Sequence, residues 1–213
     1  PEHRTAQLLV DWDLVTSRRS LDGLRVRLTL ELDGHVAHSS MHPALGTHGR
    51  AKLDLTNVEL WWPRGYGAQP LYDALVELVA EDGSVLASHR SRIGVRTVEL
   101  RRTDVTTPEQ PGEFVFVVNG EKIFIKGTNW VPLDALHSRD HLHCHAACAM
   151  LADLNCNMVR CWGGNVYEDH AFFDFCDTHG ILVWQDFALA CALYPQTDDF
   201  AAQIRAEAEA VVT

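Results

Sequence analysis

The stretch that decides the fold is NMVRCWGGNVYEDHAFFDFCDTHGILVWQDF, residues 157–187. Its first part, NMVRCW, is a short apolar run of strand length. EDHAFFDFCDTHG then carries helical spacing and closes on Gly180, a C-cap. ILVWQDF is a second strand. The same grammar extends on both sides. KIFIKGTNW reads as a strand, and DHLHCHAACAMLADLN as a helix with Asp140 at its N-cap. DDFAAQIRAEAEAVV reads as a helix after the last strand. The order β-α-β-α-β-α predicts parallel strands joined by helices, in a barrel or an open sheet.

Residues 5 to 105 read differently. LRVRLTLEL (24–32) alternates strictly: Leu24, Val26, Leu28, Leu30 and Leu32 against Arg25, Arg27, Thr29 and Glu31. That is a half-buried antiparallel strand. QLLVDWDLV, RAKLDLTNV, DALVELVAE, VLASHRSRI and RTVELRRTD are further strand-like runs, several separated by Gly/Asp or Pro/Gly turns. Short strands at this spacing predict a β-sandwich. TTPEQPGE (106–113) reads as a linker, so the expected domains are 1–105 and 106–213. FVFVVNGEKIFIKG reads as a hairpin, because Asn119-Gly120 supplies the positive φ angles of a tight turn.

The 213 residues carry 18 basic and 29 acidic side chains, a net charge of −11. With no basic patch, nucleic acid and anionic membrane are poor partners. No apolar run reaches membrane-spanning length. PEHRTAQLLV lacks a signal-peptide pattern and reads as a start inside a linker. All six cysteines lie in the second half, within apolar or helical patterns. They read as reduced, mostly buried thiols, which points to a cytoplasmic protein.

In a (β/α) barrel, ligand groups sit at the C-terminal ends of strands. Those ends give Asn129 and Trp130, then Arg160, Trp162, Gly163 and Gly164, then Trp184, Gln185 and Asp186. An indole offers a flat apolar face to the C–H groups of a sugar, and amides and carboxylates bond its hydroxyls. Gly163 and Gly164 would let backbone approach closely or adopt positive φ. A tryptophan at a strand end can equally cap the core.

NGEKIFIKGTNWVPLD (119–134), NMVRCWGGNVYED (157–169) and DTHGILVWQDF (177–187) resemble the β-mannosidase branch of glycoside hydrolase family 2. LWWPRGYGAQPLYDALVEL (60–78) and IGVRTVEL (93–100) resemble the immunoglobulin-like domain that precedes the barrel in that family. The resemblance implies an immunoglobulin-like β-sandwich followed by an incomplete (β/α)8 TIM barrel of about three βα units. It implies a retaining mechanism with two glutamates about 5–5.5 Å apart, no cofactor, and a carbohydrate substrate ending in β-linked mannose. The acid/base glutamate of the family follows an asparagine at the end of the fourth barrel strand, and the nucleophile lies near the seventh. No Asn-Glu pair occurs in this chain. The expectation is that both catalytic glutamates lie beyond Thr213, that the protein continues there, and that this piece alone is inactive. Arg160 and Trp162 match the family's Arg-x-Trp-Gly-Gly motif, and Asn129, Trp130 and Asp186 match positions at the same rim. Asn165 stands where the family has a third glycine, and ALACALYP (188–195) is less aromatic than its counterpart.

Other readings compete. Glu168 and Asp186 could pair as catalytic carboxylates, although Glu168 is better placed at a helix N-terminus. Tyr167 suits packing. His141 and His145, like Cys144 and Cys148, are four apart, but the two pairs do not share a face and no remote ligand pair is evident, so no metal site is assigned. A galactosidase or glucosaminidase of the same family, or a non-catalytic carbohydrate-binding module, is the alternative function. The module is disfavoured because a three-stranded parallel piece leaves open edges, through which copies are expected to associate.

Overall fold

The computed structural model describes residues 4–212. The reading of PEHRTAQLLV as a start inside a linker falls partly on residues 1–3, outside that range, and is corrected from Thr5 on, where the chain is already a strand paired to 48–56. By internal contacts the chain forms two compact units, 1–62 with 66–123 and 63–65 with 124–213. Each has its own hydrophobic core.

In the first unit, β2 (Arg25–Leu32) is the centre of a four-stranded antiparallel sheet. The order is β3 (His35–Pro43), β2, β5 (Tyr72–Val79), β6 (Val85–Ile93). Its predicted alternation holds: Leu24, Val26, Leu28 and Leu30 are all buried. β1 (Thr5–Asp13) pairs antiparallel with β4 (His48–Thr56), with Thr5 opposite Thr56. Ala51, Leu53 and Leu55 of β4 share one core with the apolar face of β2. Period two on both strands produces this: the apolar set points in, and the charged set meets water. Arg27 on the outer face pairs with Glu77 across the β2–β5 ladder at 2.6 Å.

β3 was not expected. HVAHSSMHP carries three histidines and two serines and has no apolar stripe. It forms because β2 offers it a complete ladder from Pro43 to His35, interrupted by one bulge. Polar side chains suit an outermost strand, which must not recruit another sheet.

β7 (Val98–Arg102), β8 (Phe114–Val118) and β9 (Glu121–Ile123) form a three-stranded sheet in that order. Asn119 and Gly120 turn the chain at φ 52 and 87, as their dipeptide requires. Asn119 also anchors the turn. Its side chain accepts from Thr97 N–H at 2.9 Å and donates to the Trp61 carbonyl at 2.9 Å. The linker reading of 106–113 is corrected here. β7 and β8 pair antiparallel from Val98↔Val118 to Arg102↔Phe114, so 103–113 is the loop of a hairpin. Thr103 closes it, donating N–H to the Glu113 carbonyl and accepting Glu113 N–H at its hydroxyl. The boundary expected after residue 105 falls inside this loop.

The second unit holds three parallel strands, β10 (Gly127–Trp130), β11 (Met158–Cys161) and β12 (Leu182–Gln185), in sequential order. α1 (His141–Asp153), α2 (His170–His179) and α3 (Asp198–Val212) follow them in turn. KIFIKGTNW is therefore not one strand. It breaks at 124–126, where the chain leaves β9 and enters β10. Asn157, fully buried, holds the break. Its Oδ1 accepts Lys126 N–H at 2.8 Å, its Nδ2 donates to the Phe124 carbonyl at 3.0 Å, and its own N–H donates to the Lys126 carbonyl at 2.8 Å.

Gly180 caps α2 as expected, at φ 74. The N-cap of that helix is Asp169, whose carboxylate accepts from Ala171 and Phe172 N–H. Asp140 does not cap α1. Its backbone is helical and its side chain makes no capping bond. It turns back instead, accepting Asp134 N–H at 2.8 Å and meeting His137 Nδ1 at 3.2 Å across a 3₁₀ turn, His137–Arg139.

Cys148, Leu151, Cys156, Phe172 and Cys176 from the helical side pack with Trp130, Val159 and Cys161 of the sheet. All six cysteines are free, four of them buried. Burial pushes the Cys148 and Cys161 thiols up to about 12, and Cys176 higher still. A raised thiol leaves less thiolate at neutral pH, and thiolate is the nucleophile. Iodoacetamide at neutral pH is therefore expected to label exposed Cys191 first, with Cys161 and Cys176 reacting only on unfolding. Peptide mapping by mass spectrometry checks this order.

Candidate active site

The site is built by strand alternation within the second unit. Asn129, Arg160 and Trp184 are register partners on β10, β11 and β12, so they share one row and one face. One residue further on, Trp130, Cys161 and Gln185 form the next row, on the opposite face. Trp130 is accordingly buried in the core, its ring 4.9 Å from that of Phe172. The structure thus separates two of the three rim tryptophans: Trp184 stays on the Asn129–Arg160 face, while Trp130 supports the sheet from behind.

Arg160 is the hub. Its Nε and Nη2 donate to the two carboxylate oxygens of Asp186 at 3.3 and 2.5 Å. Its Nη1 donates to Asn129 Oδ1 at 3.2 Å. A planar guanidinium can grip both oxygens of a carboxylate and still donate to an amide in a fixed geometry, a fork that an ammonium does not present. Asp186 also accepts Gly163 N–H at 3.2 Å, so it ties the loop after β11 to the end of β12. Asn129, Arg160, Gly163 and Asp186 are thereby brought together by direct bonds.

The glycines now have physical reasons, and positive φ is not one of them, since neither carries it. A Cβ on Gly163 would lie 2.6 Å from the Phe187 carbonyl oxygen and 2.9 Å from that of Leu189. A Cβ on Gly164 would lie 2.1 Å from the Trp162 ring, so the indole lies over Gly164 itself. Trp162 is half-buried as a result. Gly163→Ala should push backbone apart and cost about 1–3 kcal/mol, the range of an overpacked site. Gly164→Ala meets only a side chain that can swing, so it should perturb tryptophan fluorescence more than stability. Thermal melts and emission spectra of the two variants distinguish these effects.

Sequence reasoning missed a supporting network. Trp130 Nε1 donates to Glu168 at 2.7 Å, and Asn165 Nδ2 donates to the same oxygen at 3.2 Å. Asn165 is buried, and its N–H donates to the Trp162 carbonyl at 2.9 Å. Its φ is not positive, so it replaces a glycine without left-handed strain. Glu168 is thus a structural acceptor, while Asp186 is engaged by Arg160. Tyr167 donates to Glu207 at 2.5 Å and accepts Ala188 N–H at 3.0 Å, joining α3 to the loop after β12. Burial, then the bond to Glu207, raises its phenol pKa.

The sequence and the fold match known proteins. The family model Glycosyl hydrolases family 2 matches residues 2–96. A beta-mannosidase from Capra hircus is 41% identical over 154 residues, covering 70% of this chain and 17% of the relative. Beta-mannosidase B from Thermothelomyces thermophilus is 38% identical over 188 residues, covering 86% of this chain and 22% of the relative. The crystal structure of a beta-D-mannosidase from Dictyoglomus thermophilum superposes with a TM-score of 0.81 at 32% identity, covering 100% of this chain and 26% of that one. The chain belongs to glycosyl hydrolase family 2. Its relatives place it in the β-mannosidase branch of that family. It spans 17% to 26% of the length of these relatives.

Proposed function

We propose that this chain is part of a retaining exo-glycosidase that removes terminal β-linked mannose from oligosaccharides. Its first unit is an immunoglobulin-like β-sandwich in this reading, and its second is the first three βα units of a (β/α)8 barrel. The observation that carries the proposal is the Arg160 hub. It holds Asn129, Asp186 and the Gly163 loop on the face that a barrel turns toward its ligand, at the strand ends where barrel enzymes work. Trp184 and half-buried Trp162 accompany it, apolar surfaces suited to the faces of a pyranose.

The chemistry follows a two-glutamate double displacement. One carboxylic acid protonates the leaving oxygen, the other carboxylate attacks the anomeric carbon, and water releases the sugar with retained configuration. The role of the Arg160 cluster is to bind and orient sugar hydroxyls, not to transfer protons. The proposal places both glutamates outside residues 1–213. No cofactor enters this chemistry.

The test is hydrolysis of a chromogenic β-mannoside, with the anomer of the first product read by NMR. The intact protein should release β-mannose first, and the 213-residue chain should release none. Turnover of a β-galactoside or β-glucosaminide in preference would move the assignment to another branch activity. Binding without turnover by the intact protein would favour the carbohydrate-binding module.

A further inference from the structure

The thiols of Cys144 and Cys148 have no part in the site above. They stand one helical turn apart on α1, with their sulfurs 3.8 Å from each other. Cys144 is half-buried and Cys148 buried, so the pair leads from the surface into the core. Among the described residues, no three His, Cys, Asp or Glu side chains converge as metal ligands. The pair therefore lacks the third and fourth ligands of a closed zinc site. Two adjacent sulfurs suit a centre that takes two thiols and brings its own third substituent.

We propose that Cys144 and Cys148 form a dithiol site for trivalent arsenic, which α1 holds as a cyclic dithioarsenite. The step balances without an oxidant or reductant. A monosubstituted arsenous acid presents two As–OH groups. Each sulfur bonds to arsenic as an As–O bond breaks, and each thiol proton leaves with the departing hydroxide as water. Two As–S bonds form, two waters leave, and arsenic stays trivalent.

The surroundings favour this centre over a metal cation. Burial, together with the nearby charges of Asp140, Glu168 and Asp169, raises the Cys144 thiol, and burial pushes Cys148 up to about 12. A divalent ion needs both sulfurs as thiolates. Arsenous acid accepts neutral thiols, because its own hydroxides carry the protons away. Glutathione competes poorly, since the second As–S bond forms within one helix and not between molecules.

The probe is phenylarsine oxide at one equivalent on the purified protein, followed by excess glutathione. Intact-mass spectrometry should show one phenylarsenic adduct that survives glutathione and is stripped by dithiothreitol. Fragment sequencing should place it across Cys144 and Cys148 and exclude Cys156, which shares their tryptic peptide. Cys144→Ser and Cys148→Ser should each lower retention about 100-fold, the scale of lost bivalency. Cys191→Ser should retain the adduct. Should Cys148→Ser fold poorly, the mapped wild-type adduct and Cys144→Ser decide the matter. No glutathione-resistant adduct, an adduct bridging any other pair, or one that persists in Cys144→Ser overturns the proposal.

Discussion

Arg160→Ala is expected to lower β-mannoside turnover by the intact protein on the order of 100-fold, the scale of a displaced binding group. Three bonds disappear together: two to Asp186 and one to Asn129. Asp186 then keeps only its contact with Gly163 N–H among these partners. The loop after β11 stays tied to β12 through Gly163, but the Asp186 carboxylate and the Asn129 amide lose the group that orients them. Stability should fall by less, about 1 kcal/mol, because the pair is partly solvated, with Arg160 at 42% side-chain exposure and Asp186 at 22%. Arg160→Lys keeps the charge but not the fork, so it should recover stability more than turnover. Steady-state kinetics beside a urea titration separate the two effects. Undiminished turnover in Arg160→Ala would show that this face does not meet the sugar.

Asn157→Ala should have the largest effect on stability, about 2–4 kcal/mol. The substitution removes two side-chain bonds and leaves the Lys126 N–H and the Phe124 carbonyl without their partner in a part-buried setting, at about 1–2 kcal/mol for each. Asn157→Asp should not rescue it. A carboxylate still accepts from Lys126, but it cannot donate to Phe124, and it places a charge where nothing is exposed. The urea midpoint of the purified protein is the measurement. A loss below about 0.5 kcal/mol, ordinary for a surface change, would mean that the amide is dispensable.

Neither residue was equally visible in the sequence. Arg160 could be found because it falls at a strand end within a recognisable motif. Asn157 could not, because its importance lies in two backbone groups 31 and 33 positions away. The same divide runs through the fold. Leu24, Val26, Leu28 and Leu30 announce β2 by alternation alone, and Asn119-Gly120 announces its turn by local conformation. β3 carries no apolar period and exists only through its pairing with β2. Asp140 looks like an N-cap but bonds backward, a choice set by Asp134 and His137. Trp130 and Asn129 are neighbours in sequence, yet the pleat sends them to opposite faces. Period two was visible there; which face meets the helices was not. Trp162 looked like a platform with glycines beside it. In the structure one of those glycines is the floor on which the indole lies.

The pairing of β1 with β4 also bears on how the molecule reaches its native state. Thr5 lies opposite Thr56, so this ladder closes only after the intervening chain has found its own form. β2 and β3 meet across a turn at Leu32 and His35, and β5 and β6 across one at Val79 and Val85. Short closures are entropically cheap and fast, and long ones are slow. The two hairpins should therefore assemble first, with the long-range ladders β1–β4 and β2–β5 closing after them. Substitutions in β1 should accordingly speed unfolding and leave the folding rate almost unchanged, because the strand's contacts form after the barrier has been crossed.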